Sequence, residues 1–538
     1  MASPVRAVRA ARLRIHVTAS PTAPTGCTAL QRLAPAACAV KTAGAMIHRQ
    51  RNTGVAAVLG LSAGLVSGLP THAHPSVERR IRSAISDLPH ADAAVGACVL
   101  DLATGSTLLE ERADAPFIPA SNMKVFTMAA AIAILGPGFA FETSLATNGS
   151  DILVIGDGDP ALGDERLSRR RGETITTVFE RWADALIDKD MHDIAGDIVI
   201  DESIFDGERV HQSWEKGDLG HWYAAPVGGL NFNGNCLDIT VRPAATPGDL
   251  VHVSVQPEGS LARIINECRS GGKKNPILHH PHDTFEYTIT GECNKVWPFA
   301  PVTYADPGQL AANSLRKVLL DKGVTVQGGI RREMIRLADG SLPPSLTIVA
   351  RHRTALADVL SRTGKDSQNL FAECLLKRVG YEWVRDLGRR DVQGSWALGS
   401  RAVAYALTRA GIDTAGMVVA DGSGLSRLNR CTARQLTATL AWMNTSSASG
   451  LFHDSLSIAG VDGSLRTRLR NTGGRIFGKT GTMRGVRSLS GYVDGSKRRY
   501  AFAVIFNGYT GSSAPYKEIQ DRICRALLDE ASREAVAP

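Results

Sequence analysis

The pattern of hydrophobic and polar positions predicts a mixed α/β chain downstream of residue 74. Residues 125–135 are apolar on nearly all sides, which predicts a buried helix that ends at Gly136-Pro137-Gly138. Near the C-terminus, three strand-like runs joined by short turns predict an antiparallel meander, and one more helix follows them. We expect these strands at 475–483, 486–493 and 499–507, and the helix at 516–528.

The middle of the chain has a different pattern from its two ends. Before it, a helix is predicted at 77–88 and two strands joined by a turn at 93–100 and 107–110. From about residue 143 to 345, short strand-like segments alternate with Gly, Asp and Pro turns, which indicates one or two β-rich inserted units. After about residue 350, helical patterns return at 355–360, 370–379, 397–410 and 432–443.

The charge of the chain is concentrated in its first 73 residues. The chain of 538 residues is long enough for two or three domains, and its formal net charge is +8. Residues 1–73 contain eight Lys or Arg and no Asp or Glu, which leaves residues 74–538 with no net charge. The basic excess therefore does not indicate a nucleic-acid partner, and we expect none.

The segment 46–73 has the order of a secretory signal. After Met46 come His48, Arg49 and Arg51, then an apolar stretch at 54–69 and the small-residue site Thr71-His72-Ala73. We predict a signal peptide at 46–73, cleaved near Ala73–His74, and an exported protein in the periplasm or another extracytoplasmic space. An apolar stretch of 16 residues is short for a membrane span. An uncleaved anchor is the alternative, and at most peripheral membrane association is expected.

Residues 1–45 are an extension of unknown role; one interpretation is that translation starts at Met46 and leaves them untranslated.

One of four Ser-x-x-Lys matches lies in a setting suited to catalysis. Ser121 and Lys124 open the apolar helix just after a proline, three positions apart on one helical face. Free N–H groups at a helix start favour negative charge, and burial lowers the pKa of an ammonium group towards that of a usable base. Taken alone, a serine in the position of Ser121 is more often a helix N-cap than a nucleophile. The other matches are Ser213–Lys216, Ser270–Lys273 and Ser314–Lys317.

Two further motifs change that interpretation. Ser367-Gln368-Asn369 immediately precedes a helical pattern, and Lys479-Thr480-Gly481 lies inside a predicted strand. Each has a structural alternative, an N-cap for the first and an edge strand with a bulge for the second. All three motifs in this order are the set found in serine β-lactamases and penicillin-binding proteins.

The residue types suit attack on a carbonyl group by a serine. A serine hydroxyl needs an adjacent base, and neutral Lys124 accepts the proton of Ser121, with Lys479 as a second cation that lowers its pKa further. Ser367 relays the proton to the departing amine. The backbone N–H groups of Ser121 and Thr482 are placed to form an oxyanion hole.

The remaining motif residues are suited to binding a peptide. The Asn369 amide holds a substrate backbone group, and Lys479 with Thr480 offers a cation and a hydroxyl to a terminal carboxylate. Gly481 has no side chain, so that an extended peptide can lie against the strand edge. The predicted substrate-binding residues of the motifs are Asn369, Lys479, Thr480, Gly481 and Thr482.

At this point the chain resembles the class C low-molecular-mass penicillin-binding proteins, the D-alanyl-D-alanine carboxypeptidase/endopeptidases of cell-wall metabolism. The 246 residues from Ser121 to Ser367 match the large insertion that marks this family. The resemblance covers roughly residues 77–528. It extends to Gly156-Asp157-Gly158-Asp159-Pro160, to the stretch 421–426 and to the stretch 459–466.

The resemblance implies an architecture and several further assignments. Residues 74–142 and 346–538 would form a serine β-lactamase/transpeptidase-like penicillin-binding domain, an antiparallel sheet flanked by helices. Residues 143–345 would form two smaller nested domains. Arg427 would lie near the cleft and contact an acidic peptide stem. Of the clustered Cys236, Cys268 and Cys293, the pair Cys268–Cys293 is the preferred disulfide. No metal or organic cofactor is implied.

The resemblance also implies a function. We expect a serine D,D-peptidase that hydrolyses D-alanyl-D-alanine ends, D,D crosslinks, or both, through an acyl-enzyme on Ser121. Its partners would be peptidoglycan stem peptides, with β-lactam antibiotics as covalent inhibitors. A serine β-lactamase is one alternative, although no Glu-based deacylation motif is recognisable. The other alternative is a non-catalytic cell-wall-binding protein, against which the intact motifs argue.

Overall fold

The structure, a computed structural model, describes residues 75–89 and 93–533, which belong to one compact unit. The predicted extension 1–45, the signal peptide 46–73 and its cleavage site lie outside the described residues. Within these ranges, no helix combines the length and the apolar composition that crossing a bilayer requires.

The elements before the predicted insertion lead to a helix that is buried over its first ten residues. Every side chain of α2 from Met123 to Ile132 is buried, as the apolar run predicted. The helix ends at Gly136, whose φ of 83° is a conformation that glycine adopts without a steric penalty. The elements are α1 (Pro75–Ser86), β1 (Ala94–Asp101), β2 (Thr107–Glu111) and α2 (Met123–Leu135).

The middle of the chain contains several sheets and its own hydrophobic core. Its largest sheet has five strands in the order β17-β6-β4-β3-β18. Strands β3 and β18 are antiparallel neighbours with Ala140 opposite Ala355, so the point at which the chain enters this region lies next to the point at which it leaves. The division into a catalytic domain and two nested domains stays a prediction. The elements are β3 (Ala140–Thr147), β4 (Ile152–Ile155), α3 (Glu165–Arg170), α4 (Thr177–Ile187), β5 (Asp193–Ile194), β6 (Ile198–Asp201), β7 (Cys236–Arg242), β8 (His252–Gln256), β9 (Arg263–Asn266), β10 (Arg269–Ser270), β11 (Ile277–His279), β12 (Glu286–Thr290), β13 (Glu292–Cys293), β14 (Trp297–Pro298), β15 (Val302–Thr303), α5 (Pro307–Asp321), β16 (Thr325–Val326), β17 (Ile330–Arg332) and β18 (Thr347–Ala355).

The C-terminal part returns to long helices and then forms the predicted meander. The helices α6 (Leu356–Gly364), α7 (Asn369–Asp386) and α11 (Ala514–Ser532) extend beyond their predicted ends by four, seven and four residues, because the apolar stripe fades before the hydrogen-bonded turns stop, whereas α8 (Trp396–Arg409) ends one residue early. The elements are α6 (Leu356–Gly364), α7 (Asn369–Asp386), α8 (Trp396–Arg409), α9 (Ala433–Thr445), α10 (Ser449–Ser455), β19 (Ser457–Ile458), β20 (Ile476–Met483), β21 (Val486–Asp494), β22 (Arg499–Asn507) and α11 (Ala514–Ser532).

A six-stranded antiparallel sheet joins the two ends of the chain in the order β19-β20-β21-β22-β1-β2. Side chains alternate across it, as the pleat of a strand requires. Along β22, Phe502 and Val504 join the hydrophobic core under α1 and α11, whereas Ala501 and Ala503 join the core around α2 and α9. The sheet is therefore covered by helices on both faces, and β20 lies beside the start of α2.

The preferred disulfide is wrong in this structure. All seven cysteines of the described residues are free thiols, Cys268 and Cys293 among them. The Cys293 thiol donates instead to the carbonyl of Lys295 at 2.8 Å, within the same turn. Cys374 and Cys524 are buried thiols on α7 and α11.

Candidate active site

The predicted nucleophile lies in a tight turn and not in the first turn of the helix. Ala120–Asn122 form a 3-10 turn directly before α2, and Ala120 has a φ of 47° in the left-handed region. Asn122 Nδ2 donates to Ser488 Oγ at 2.6 Å, and that hydroxyl donates to the carbonyl of Pro119 at 2.6 Å. The turn is thereby joined to β21, with the Ser121 side chain partly exposed beside it.

Lys124 is fully buried beside Ser121. Its Nζ lies 3.1 Å from Ser121 Oγ, 2.7 Å from Asn369 Oδ1 and 2.7 Å from the carbonyl of Ser423. Burial lowers the pKa of Lys124 to about 7, against the opposing effect of the carboxylates of Glu373 and Asp421. Near neutral pH this amine is therefore able to accept a proton.

The second lysine contacts the second serine. Lys479 Nζ lies 2.8 Å from Ser367 Oγ, and Ser367 holds a left-handed φ of 58° just before α7. Burial, with added repulsion from Lys124 and Arg487, holds the pKa of Lys479 well below its ordinary value. We expected this repulsion to act on Lys124, but for Lys124 burial is the dominant cause.

Asn369 is engaged inside the protein at both ends of its amide. Its Oδ1 accepts from Lys124 at 2.7 Å, and its Nδ2 donates to the carbonyl of Tyr223 at 2.7 Å. We expected it to hold a substrate backbone group. The structure places it between the candidate base and the predicted insertion, and its contact with a substrate stays a prediction.

Strand β20 borders the site, and its glycine has a packing role. A Cβ on Gly481 would lie 2.2 Å from Ser488 Oγ and 2.8 Å from the carbonyl of Pro119. A side chain at 481 would therefore point at the nucleophile turn, and the binding of an extended peptide along this strand edge stays a prediction. Thr480 Oγ1 donates to Ser464 Oγ at 2.8 Å.

Thr482 and Arg427 lie together at the end of β20. Both line a cavity of about 700 Å³, and Thr482 is exposed. Arg427 Nη1 donates to the carbonyl of Arg484 at 3.1 Å, and its Nε is 3.7 Å from a carboxylate oxygen of Glu215. Arg427 therefore lies at the same end of β20 as Thr482. The contact of Arg427 with a peptide stem stays a prediction.

Two buried carboxylates beside the site were missed from the sequence. Glu373 accepts from the backbone N–H groups of Gly422 and Ser423, each at 2.8 Å. Asp421 accepts from the N–H groups at 424 and 426. A signal was available for Glu373, because it follows Asn369 by four positions on one helical face.

Residues of the inserted region also reach the site. Trp214 Nε1 donates to Asp421 Oδ2 at 3.0 Å, and Ser213 Oγ lies 2.6 Å from Ser426 Oγ. With the Tyr223 carbonyl, these contacts join the insertion to both the second motif and the loop 421–426. Nothing in the local sequence indicates them.

A partly exposed serine next to a buried lysine, with a second serine–lysine pair across the cleft, defines the class of serine acyl-transfer enzymes that use a lysine base. The chain belongs to the D-Ala-D-Ala carboxypeptidase 3 (S13) family, whose model matches residues 77–528. The fold is that of the penicillin-binding proteins, as predicted.

Known relatives agree with this assignment. The chain is similar to a D-alanyl-D-alanine carboxypeptidase of Actinomadura sp. (strain R39), with 32% identity over 485 residues that cover 84% of each chain. It shares the fold of penicillin binding protein 4 from Haemophilus influenzae, with a TM-score of 0.68 and 22% identity over 84% of this chain and 99% of that one. The same protein complexed with a β-lactam matches with a TM-score of 0.64, 22% identity and the same coverage.

Proposed function

We propose that this enzyme hydrolyses D-alanyl-D-alanine ends of peptidoglycan stem peptides, and D,D crosslinks, through an acyl-enzyme on Ser121. One observation carries the proposal: the Ser121 hydroxyl lies 3.1 Å from the amine of a lysine with no exposed surface. Burial lowers the pKa of that lysine to about 7, so that it serves as a base at neutral pH.

Acylation follows from the contacts around these two residues. Neutral Lys124 takes the hydroxyl proton while Ser121 Oγ forms a bond to the substrate carbonyl carbon. The backbone N–H groups of Ser121 and Thr482 stabilise the oxyanion, each worth a factor of about 10² to 10³ in rate. The bond to the leaving amine then breaks. Ser367, which Lys479 contacts, gives its hydroxyl proton to that amine and receives in exchange the proton that Lys124 took from Ser121, so that Ser367 and Lys124 return to their starting forms. Water hydrolyses the resulting ester and restores the serine.

The lysine pair also selects the end of the substrate. Two ammonium groups buried in one cleft destabilise each other, and a carboxylate brought beside Lys479 and Thr480 supplies a counter-charge. A peptide with a free C-terminal carboxylate therefore gains more from this cleft than one with a neutral end. Arg427, at the far end of β20, is proposed to contact the stem.

Two further proposals concern covalent inhibition and location. A β-lactam presents a reactive carbonyl and a carboxylate, so it acylates Ser121 in the same cleft; the β-lactam complex of a protein with this fold supports the idea. Membership of the D-Ala-D-Ala carboxypeptidase 3 (S13) family supports a location outside the cytoplasm. We propose that residues 46–73 direct its export, to the periplasm where the cell has one.

The test is intact-mass analysis after incubation with labelled penicillin, followed by sequencing of the modified peptide. We expect one adduct on Ser121, none in Ser121→Ala, and a normal adduct in Ser314→Ala, which changes a Ser-x-x-Lys serine on α5. Purified muropeptides then separate release of D-alanine from crosslink cleavage. Rapid turnover of the penicillin would indicate a β-lactamase, and absence of any adduct would indicate a non-catalytic protein.

A further inference from the structure

A fully buried carboxylate reaches the candidate base through the backbone of a single residue. Glu373 has no exposed surface, and its Oε1 accepts from the backbone N–H of Ser423 at 2.8 Å. The carbonyl of that same residue accepts from Lys124 Nζ at 2.7 Å. The carboxylate and the ammonium group are therefore held at opposite ends of one backbone segment.

The surroundings of Glu373 favour its charged form only in part. Its Oε2 accepts from the N–H of Gly422 and from the indole of Trp396, each at 2.8 Å. Burial, together with the neighbouring Asp421, nevertheless raises the pKa of Glu373 to about 7. A nearby positive charge is therefore what makes an ionised carboxylate stable here.

The other charged groups around this pair lie on separate elements. Asp421 on the loop after α8 and Lys479 on β20 border Lys124. Beyond Trp396 lie Lys377 on α7, with its Nζ 3.8 Å from the indole centroid, and His211 of the insertion, with ring centroids 5.0 Å apart. Both carboxylates reach Lys124 through the backbone around Ser423: Glu373 accepts from the Ser423 N–H, and Asp421 accepts from the Gly424 N–H, which follows the Ser423 carbonyl. Of the two, Glu373 has the larger opposing effect on the lowered pKa of Lys124.

We propose that Glu373 is a positioning residue that holds the Ser423 carbonyl against Lys124 and supplies the negative charge against which this lysine gains and loses its proton. The inference rests on the proposed function, because it assigns Glu373 to the same acyl transfer. A base is most effective when it exchanges its proton near the working pH. Burial alone would leave Lys124 permanently neutral and weakly basic, and the carboxylate opposes this.

The sign of the effect follows from the charge. Glu373→Gln removes the negative charge, so protonated Lys124 is less stable and loses its proton at lower pH. The acid limb, which is the low-pH side of the plot of acylation rate against pH, should therefore move to lower pH by about one to three units, as expected for loss of an opposite charge at short range. The plateau rate should fall by about 10²-fold, because an amide cannot accept from all three donors and the Ser423 carbonyl shifts.

The experiment measures the rate of Ser121 labelling by fluorescent penicillin from pH 5 to 9. Glu373→Asp keeps the charge and should leave the acid limb in place while it lowers the plateau. Asp201→Asn is the matched control, since Asp201 is equally buried and also accepts from backbone N–H groups, but within the insertion. The acid limb of Asp201→Asn should stay at the same pH as that of the wild type.

The outcomes separate this inference from the function it rests on. If wild type is not labelled on Ser121, the proposed function fails, and this inference fails with it. If wild type is labelled but a folded Glu373→Gln keeps the wild-type limb, the inference alone is overturned. If Glu373→Gln does not fold, Trp396→Phe removes one donor from the carboxylate and must shift the limb in the same direction by a smaller amount; an unmoved limb there overturns the inference equally.

Discussion

Replacing Gly481 by alanine tests whether this glycine is required by packing or by access of the peptide. The added methyl group would lie 2.2 Å from Ser488 Oγ, 2.8 Å from the carbonyl of Pro119 and 3.1 Å from Asn122 Nδ2. The first of these distances is shorter than an ordinary non-bonded separation of two heavy atoms by more than about 1 Å. Something must therefore move, and two of the three neighbours are parts of the nucleophile turn or adjoin it.

The cheaper movement is rotation of Ser488, and its cost is calculable. That hydroxyl accepts from Asn122 and donates to Pro119, each at 2.6 Å, so rotation breaks two buried hydrogen bonds. At about 1 kcal/mol for each bond, and about 1–3 kcal/mol for overpacking, the variant should lose about 3–5 kcal/mol of stability. If β20 moves instead, Lys479 and Thr480 move away from Ser121, and a displacement of about 1 Å costs about 10²-fold in acylation rate.

We expect Gly481→Ala to lower both the melting temperature and the rate of labelling by fluorescent penicillin. Gly450→Ala on α10 is the control, because a methyl group there meets no atom within 4 Å and alanine favours a helix. A variant that loses acylation while its melting temperature stays at the wild-type value would refute the packing argument and support our original expectation of peptide access.

The remaining predictions concern single contacts of the site. Lys124→Met should remain folded and lose penicillin labelling; labelling at the wild-type rate would exclude Lys124 as the base. In wild type, labelling should rise as the pH increases through about 7, because burial lowers the pKa of Lys124 and only its neutral form accepts a proton; a rate that falls over that range would contradict this. Ser464→Ala removes the acceptor of the Thr480 hydroxyl, so KM for a D-alanyl-D-alanine peptide should rise about tenfold with little change in kcat, and an unchanged KM would show that this contact is dispensable. Trp214→Phe removes the indole that donates to the buried carboxylate of Asp421, so acylation should slow about tenfold although Trp214 itself belongs to the insertion. An unchanged rate would mean that the insertion does not support the site.

The elements that the sequence predicted are those with a strong local pattern. The helix expected at 125–135 is Met123–Leu135, and the strand expected at 499–507 is Arg499–Asn507. Periodicity depends only on neighbours in the chain, so it survives whatever packs against it. At Ser121 the pattern was misleading, because the left-handed Ala120 turns the chain before the helix begins.

By itself, the sequence determined the three motifs, their order and the elements that carry them, and hence the family and the chemistry of a serine with a lysine base. Only the tertiary structure decided which groups surround that lysine. Two groups that accept from Lys124 are far from it in the sequence: Asn369 lies 245 positions away and Ser423 lies 299 positions away. The energy of a buried charge depends on which distant segment folds opposite to it, and no local pattern records that choice. For the same reason, the roles of Glu373 and Trp214 became visible only in the folded chain.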